Sequence, residues 1–311
     1  MKVEEIVPSA LAGERLDRVV ALIADISRAD ATKLIAGNGA LVDGETPKSG
    51  KVRLREGQTI LVDLDLIPVA ELPKADPSVV LDVVYVDDDL IVINKAVGLV
   101  VHPAAGHQTG TVVNGILALY PEVATVGQPA RPGIVHRLDA GTSGLMVVAR
   151  TQRAYDALIM ALTQHEVGRE YLALVWGHFD SPTAIVDAAI GRDPKNAFKM
   201  AVVHNGKWAR THLAVEEQFD TPADLTLVRC TLETGRTHQI RVHLAAVKHS
   251  VVGDSAYGGA KSALKAPRPM LHARRLSLVH PGTGEEVSWE ATLPSDMAMV
   301  IAKCSNKPTD V

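Results

Sequence analysis

Gly133-Ile134-Val135-His136-Arg137-Leu138-Asp139-Ala140-Gly141-Thr142-Ser143-Gly144-Leu145 is the stretch on which the reading of this 311-residue chain turns. It sets one carboxylate, Asp139, in a segment bounded by Gly133, Gly141 and Gly144. Glycines at that density mark a backbone held in an unusual shape, or approached closely by something else. The apolar run Leu145-Met146-Val147-Val148 follows, so the carboxylate stands at the mouth of a buried strand. An acid on a rigid turn beside a buried sheet is what a catalytic nucleophile requires. Local chemistry leaves an alternative equally open, an Asp that caps a turn and pairs with Arg137.

Outward from this turn, strand signals dominate. Residues 79–86 and 90–94 flank Asp87-Asp88-Asp89 and predict a hairpin. Further strands are expected over 144–149, 171–176, 184–190, 208–215 and 225–232. One helix is expected over 151–166 behind a Thr151 cap, with Tyr155, Leu158, Ile159 and Leu162 on one face. Another is expected over 237–248, with Ile240, Leu244 and Val247 together. Many strands with few interposed helices predict an α+β fold.

Residues 13–65 read as a small module of their own. Leu16, Val19, Val20 and Ile23 make a helical stripe. Ser27, with Asp30 three residues on, caps a second helix that carries Ala31, Leu34 and Ile35 and stops at Gly37-Asn38-Gly39. A short strand then enters the Asp43-Gly44 turn, and residues 58–64 alternate as another strand. Three prolines within 66–78 suit a semi-rigid linker, dividing the chain into 1–75 and 76–311.

Composition bounds the function. The chain is 47% hydrophobic and 22% charged, as expected of an ordinary globular protein. No apolar run approaches a membrane span, and the N-terminal residues lack a secretory pattern, so no membrane association is expected. Cys230 and Cys304 stand far apart, which favours a reducing cytoplasm over a disulfide framework. Net charge is -4, with 10 Lys and Arg against 12 Asp and Glu in residues 1–75, and 22 against 23 in residues 79–311. A polyanionic partner would therefore have to meet a local basic face.

Three blocks together resemble the RluA-type pseudouridine synthases. The first is HRLD-x-x-TSGL around Asp139. The second is Asn94-Lys95-Ala96-Val97-Gly98-Leu99-Val100-Val101-His102-Pro103. The third is Leu232-Glu233-Thr234-Gly235-Arg236-Thr237-His238-Gln239-Ile240-Arg241-Val242-His243, followed by Val252-Gly253-Asp254 and Tyr257-Gly258-Gly259. The likeness covers roughly residues 79 to 295, in the family's order and spacing. It implies a mixed, mostly antiparallel sheet with flanking helices and an active cleft across its middle. Residues 1–75 in turn resemble the S4 RNA-binding (α-L) domain, and that likeness implies phosphate contacts from Arg15, Arg18, Arg28 and Lys33.

What the resemblance implies about the site is specific. Asp139 falls at the nucleophile position, Arg241 at that of the arginine paired with it, and Tyr171 at that of the tyrosine lying against the uracil. Arg137 matches a residue that faces RNA and holds the target nucleotide out of its stack. Arg236 is open between a surface salt bridge and a phosphate contact at a helix N-terminus. Ala96 replaces a common proline, and Arg169 departs from a usual Lys-rich preface; neither removes a catalytic group. No nucleotide-cofactor fingerprint occurs, and no cofactor is expected. His102, His107, His136, His238 and His243 lie in the blocks, but His238 and His243 are five apart and no cysteine joins them, so no metal is expected. The expected substrate is structured RNA, bacterial large-subunit (23S) ribosomal RNA ahead of transfer RNA, and the expected state is a monomer without protein partner. The alternatives are a non-catalytic RNA-binding or ribosome-assembly factor, which would need none of Asp139, Arg241 and Tyr171, and a metal-dependent hydrolase, which lacks ligands.

Overall fold

A computed structural model describes residues 1–67, 72–103, 109–196 and 199–306. Pro68 of the expected linker and His107 lie outside these. The chain divides into two compact units, Met1–Glu71 and Leu72–Val311.

The first unit contains β1 (Lys2–Ile6), α1 (Leu16–Ile23), α2 (Arg28–Ala36), β2 (Ala40–Val42) and β3 (Thr59–Asp63), with sheet order β1-β3-β2. α1 buries Leu16, Val19 and Val20, and α2 buries Ala31, Leu34 and Ile35 against them. The Ser27 hydroxyl accepts the Asp30 N–H at 3.1 Å, satisfying a donor that the helix start leaves free. Asp43 and Gly44 both have positive φ, at 49° and 80°, the two-residue turn that matches strand twist. β1 is missing from the sequence reading because four of its five residues are exposed and none of its side chains marks a core face. Its antiparallel pairing with β3, from Lys2↔Asp63 to Ile6↔Thr59, is what makes it a strand.

The second unit contains β4 (Asp82–Val86), β5 (Leu90–Lys95), α3 (Val112–Leu119), β6 (Ser143–Ala149), α4 (Gln152–Thr163), β7 (Gly168–Trp176), β8 (Thr183–Asp187), β9 (Ile190–Arg192), β10 (Met200–Val202), β11 (Arg210–Phe219), β12 (Leu225–Leu232), α5 (Gln239–Ala246), β13 (Leu271–Val279), β14 (Glu286–Glu290) and α6 (Ser295–Ile301). Its main sheet runs β4-β5-β6-β13-β7-β12-β11-β8, with β14 paired to β13, and β9 and β10 form a ribbon. Every pair in the main sheet is antiparallel except β13 with β6. The fold is α+β with a mixed sheet. No helix among the described residues is long and apolar enough to cross a membrane.

Strand alternation divides the core between the two faces. On β7, Tyr171, Ala173 and Val175 join a core with β5, β6 and α3, while Leu172, Leu174 and Trp176 pack with Phe219 and with Met297 and Val300 of α6. Each such fully buried large side chain contributes about 1.5–3 kcal/mol. Two helical faces differ from expectation. Ile159 is exposed, because α4 buries Ala154 and Leu158 instead. Val247 lies just past the end of α5 and is also exposed. The expected strand over 184–190 is broken into β8 and β9, and β11 runs on to Phe219 through an irregularity between Val215 and Glu217.

Candidate active site

The Asp139 turn is anchored from several directions at once. Gly144 has φ 113°, and a Cβ there would collide with the Ala273 carbonyl oxygen, so only glycine permits the close parallel pairing Ala273↔Gly144. The three carbonyls of the turn are all occupied. Asp139 O accepts the Thr142 N–H at 3.0 Å, Ala140 O the Gly98 N–H at 2.8 Å, and Gly141 O Arg268 Nη1 at 3.1 Å. Lys95, 1% exposed at the end of β5, donates to the carbonyls of Ala96 at 2.8 Å and Leu99 at 2.9 Å, and reaches that of Ala140 at 3.4 Å. Burial pushes its ammonium down to about 8, with Asp139 opposing the shift and Arg268 adding to it.

The Asp139 carboxylate points into a cleft of about 810 Å³ whose walls include Arg137, Arg169, Tyr171, Arg236 and Arg241. Arg241 Nη1 donates to Asp139 Oδ2 at 3.0 Å. The same guanidinium is held from behind by Asp254, with Nε to Oδ2 at 2.6 Å and Nη2 to Oδ1 at 3.0 Å. Burial works against its charge, but Asp254 and then Asp139 outweigh burial and raise Arg241 above the ordinary arginine range. The guanidinium carbon lies 5.0 Å from the ring centre of Tyr257, whose hydroxyl is 2.7 Å from His238 Nδ1. His238 Nε2 is 3.9 Å from the other Asp139 oxygen.

Tyr171 sits between Cys230 of β12 and Ala273 of β13 in register. Burial pushes its phenol up to about 12, with Arg169 opposing and Asp139 adding. Arg137 is exposed at the rim and donates to His102 Nε2 at 3.4 Å, so the alternative pair of Asp139 with Arg137 is not formed. Arg236, half-buried, donates from Nε to the Trp208 carbonyl at 3.0 Å and has no carboxylate partner among the described residues. The cleft thus gathers Asp139, Arg241, Tyr171, Arg137 and Arg236.

The other four residues lie in the first unit, each beside an acid. Arg15 and Arg28 both hold the buried Asp17 carboxylate, the second at 2.8 Å; Arg18 pairs with Glu14 at 2.8 Å and Lys33 with Asp30 at 3.2 Å. Sequence reasoning assigned no part to Lys95, Asp254 or Tyr257, although all three stand in the quoted blocks. A lysine closing the apolar run Leu90-Ile91-Val92-Ile93 was the available signal for Lys95.

The block histidines among the described residues are hydrogen-bonded by the protein. His136 Nε2 accepts the Val147 N–H at 3.0 Å, and burial, then Arg169, push the ring down to about 3. His243 bridges the Thr211 hydroxyl and the Ala188 carbonyl, both at 2.9 Å. Among the described residues, the one grouping with metal-ligand spacing is His178, Asp220 and Asp224, none of which lines the cleft.

Residues 89–246 match the family model described as RNA pseudouridylate synthase. The chain is 45% identical over 306 residues to ribosomal large subunit pseudouridine synthase D of Neisseria meningitidis serogroup B, covering 94% of this chain and 79% of that protein. It is 41% identical over 302 residues to the protein of the same name from Escherichia coli, covering 93% and 90%. Among solved structures, human RNA pseudouridylate synthase domain containing 1 superposes with a TM-score of 0.58 at 27% identity, over 75% of this chain and 91% of that one.

Proposed function

The chain belongs to the RNA pseudouridylate synthase family, and from that premise we propose that it isomerises uridines of bacterial large-subunit ribosomal RNA to pseudouridine. The reaction cuts N1–C1′, turns the uracil and rejoins it through C5. Asp139 supplies the carboxylate that attacks, or stabilises the charge that develops, where the bond breaks. The observation that carries this reading is the chain of Asp139, Arg241 and Asp254, which fixes a carboxylate at 3.0 Å from a buried arginine inside a cleft large enough for a flipped nucleotide. Binding alone calls for no such arrangement.

The other cleft residues take positions consistent with the rest of the task. Tyr171 offers an aromatic surface for the uracil. Arg137 stands at the rim, where it can hold the target nucleotide out of its stack, and Arg236 can meet a phosphate. In the first unit, which we read as an S4-like module over residues 1–75, Arg15, Arg18, Arg28 and Lys33 supply further phosphate contacts. The exposed pairs that Arg18 and Lys33 now make are worth about 0–1 kcal/mol, and a phosphate can displace them. Arg15 and Arg28 are shared with buried Asp17, so they bind RNA only with that acid retained between them.

Tritium release from C5-labelled ribosomal RNA tests the reading. Asp139→Asn is expected to abolish release while the fold persists, since the amide removes the only charge on that side chain. Residual activity within about tenfold of wild type, roughly 1.4 kcal/mol of barrier, overturns it. Pseudouridine mapping in a deletion strain tests the substrate, and losses confined to transfer RNA overturn that half.

A further inference from the structure

β7 brings to the cleft wall a guanidinium that is buried like that of Arg241 but has no carboxylate partner among the described residues. Arg169 precedes Tyr171 by two residues, so both project from the same face of the strand. It is 6% exposed. Nη2 donates to the Glu233 carbonyl at 3.0 Å, while the buried Nε has no acceptor. Neighbouring acids are committed elsewhere: Glu170 to Arg229 at 3.1 Å, Glu233 to Arg210 at 3.5 Å and to His212. No carboxylate offsets the burial of this charge among the described residues. The Thr234-Gly235-Arg236 turn is shaped around it, since a Cβ on Gly235 would come within 2.8 Å of Nη1.

A buried cation without an anion destabilises a fold strongly, and native proteins keep unsatisfied buried groups where function uses them. Resting on the reaction assigned above, we propose that Arg169 receives the negative charge of the uracil ring once its bond to the sugar is broken. When N1–C1′ breaks, the bonding electron pair leaves with the pyrimidine, which becomes a monoanion, and C1′ is left electron-poor beside Asp139. C5 then bonds to C1′ through a ring electron pair, the C5 proton departs and N1 gains one, so the product is an isomer and no co-reactant is consumed. The charge appears at the Tyr171 side of the cleft, where the ring lies. Asp139, Arg241 and Asp254 already sum to one formal negative charge, so a second anion beside them needs a separate cation. An RNA phosphate is the poorer occupant, because phosphates stay at the rim with Arg137 and Arg236 while Arg169 is in the wall.

The test compares single-turnover rates at saturating RNA for wild type, Arg169→Met and Arg169→Lys, on targets carrying uridine or 5-fluorouridine. The C5-linked nucleoside is counted by mass spectrometry; on 5-fluorouridine, which has no C5 proton to lose, it keeps the fluorine and is counted as the form that has taken up water at C6. Arg169→Met is expected to slow the uridine reaction at least a hundredfold with less than a threefold change in RNA affinity, and Arg169→Lys to restore most of the rate. Fluorine withdraws electron density and makes the ring a better leaving anion, so the Met penalty should shrink at least fivefold on 5-fluorouridine. Thermal denaturation should show Arg169→Met no less stable than wild type. Equal penalties on both targets, or a lowered melting temperature with both rates reduced alike, make Arg169 a structural residue and overturn the proposal. Weakened affinity with an unchanged saturated rate makes it a phosphate anchor and overturns it equally. A wild-type enzyme that forms no pseudouridine fails the functional reading itself, a distinct outcome.

Discussion

Asp254→Asn is the sharpest probe of the site, because the residue holds Arg241 without facing the cleft. Its side chain is 1% exposed and its two oxygens accept four N–H donors: Nε and Nη2 of Arg241, and the backbone N–H groups of Ala256 at 3.0 Å and Tyr257 at 3.2 Å. Asparagine keeps one acceptor oxygen. Placed at Oδ1 it serves three of the donors and turns an amide N–H toward Arg241 Nε, where the present bond is 2.6 Å. The change therefore removes the charge and sets two donors against each other in a dry site. Breaking one side of a buried pair costs about 3–5 kcal/mol. At about 2–4 °C per kcal/mol for a unit of this size, that is a melting temperature lowered by about 10 °C. Arg241 keeps its charge but loses the clamp that aims Nη1 at Asp139, and misplacement by about 1 Å costs on the order of a hundredfold in rate. Thermal denaturation followed by circular dichroism reads the first number, and single-turnover tritium release reads the second. A double-mutant cycle with Arg241→Met should give a coupling of about 2 kcal/mol, since each variant orphans what the other removes. Additivity of the two changes, or a melting temperature within about 2 °C of wild type, would refute the clamp.

Lys95 predicts a pH effect. Its folded value of about 8 lies below the ordinary 10.5, so between the two the unfolded chain holds a proton that the folded chain does not, and stability rises with pH. From pH 7.5 to 9.5 wild type should gain about 2 kcal/mol relative to Lys95→Met in urea denaturation; parallel curves would show that the lysine is not desolvated. Deleting residues 1–71 should weaken RNA binding and flatten its salt dependence, by roughly 0.7–0.9 in slope for each phosphate no longer neutralised, while the saturated rate changes little; a collapsed rate at unchanged affinity contradicts that division of labour. Excess EDTA should leave turnover intact, because three of the four histidines lining the cleft, His136, His238 and His102, are engaged by Val147, Tyr257 and Pro103; an EDTA-sensitive rate restored by one divalent ion would contradict it.

What the sequence disclosed and what it withheld follow a physical line. Local rules were legible: Ser27 and Thr151 cap their helices, Asp43-Gly44 turns a hairpin, and β5 and β6 read as buried apolar runs. Elements fixed by their neighbours were not. Leu271-His272-Ala273-Arg274-Arg275-Leu276-Ser277-Leu278 alternates poorly and carries two arginines, yet as β13 it lies between β6 and β7. The exposed β1 is a strand only through β3. The cleft divides the same way. Asp139 stood out by its glycines, and Arg241 and Tyr171 by likeness to a family. Asp254 was withheld because its link to Arg241 spans thirteen positions and a loop. Arg169 reads as an ordinary strand cation, and only burial among committed acids reveals its isolation.

The place of β13 also governs when this protein can exist as a folded object. Synthesis runs at about 5–20 residues per second, so β6 and β7 leave the ribosome several seconds before the strand that must lie between them. Until then each offers an open backbone edge, and β6 is buried throughout its length in the finished fold. A nascent chain stopped between residues 247 and 270 has Asp139 leading into β6 and Arg241 on α5, with the strand that joins β6 to β7 still missing. Non-local closure of this kind is slow, and exposed edges in the interval invite aggregation. Cells making this protein should therefore depend on chaperone capacity during its translation, and truncated products should be insoluble rather than partly active.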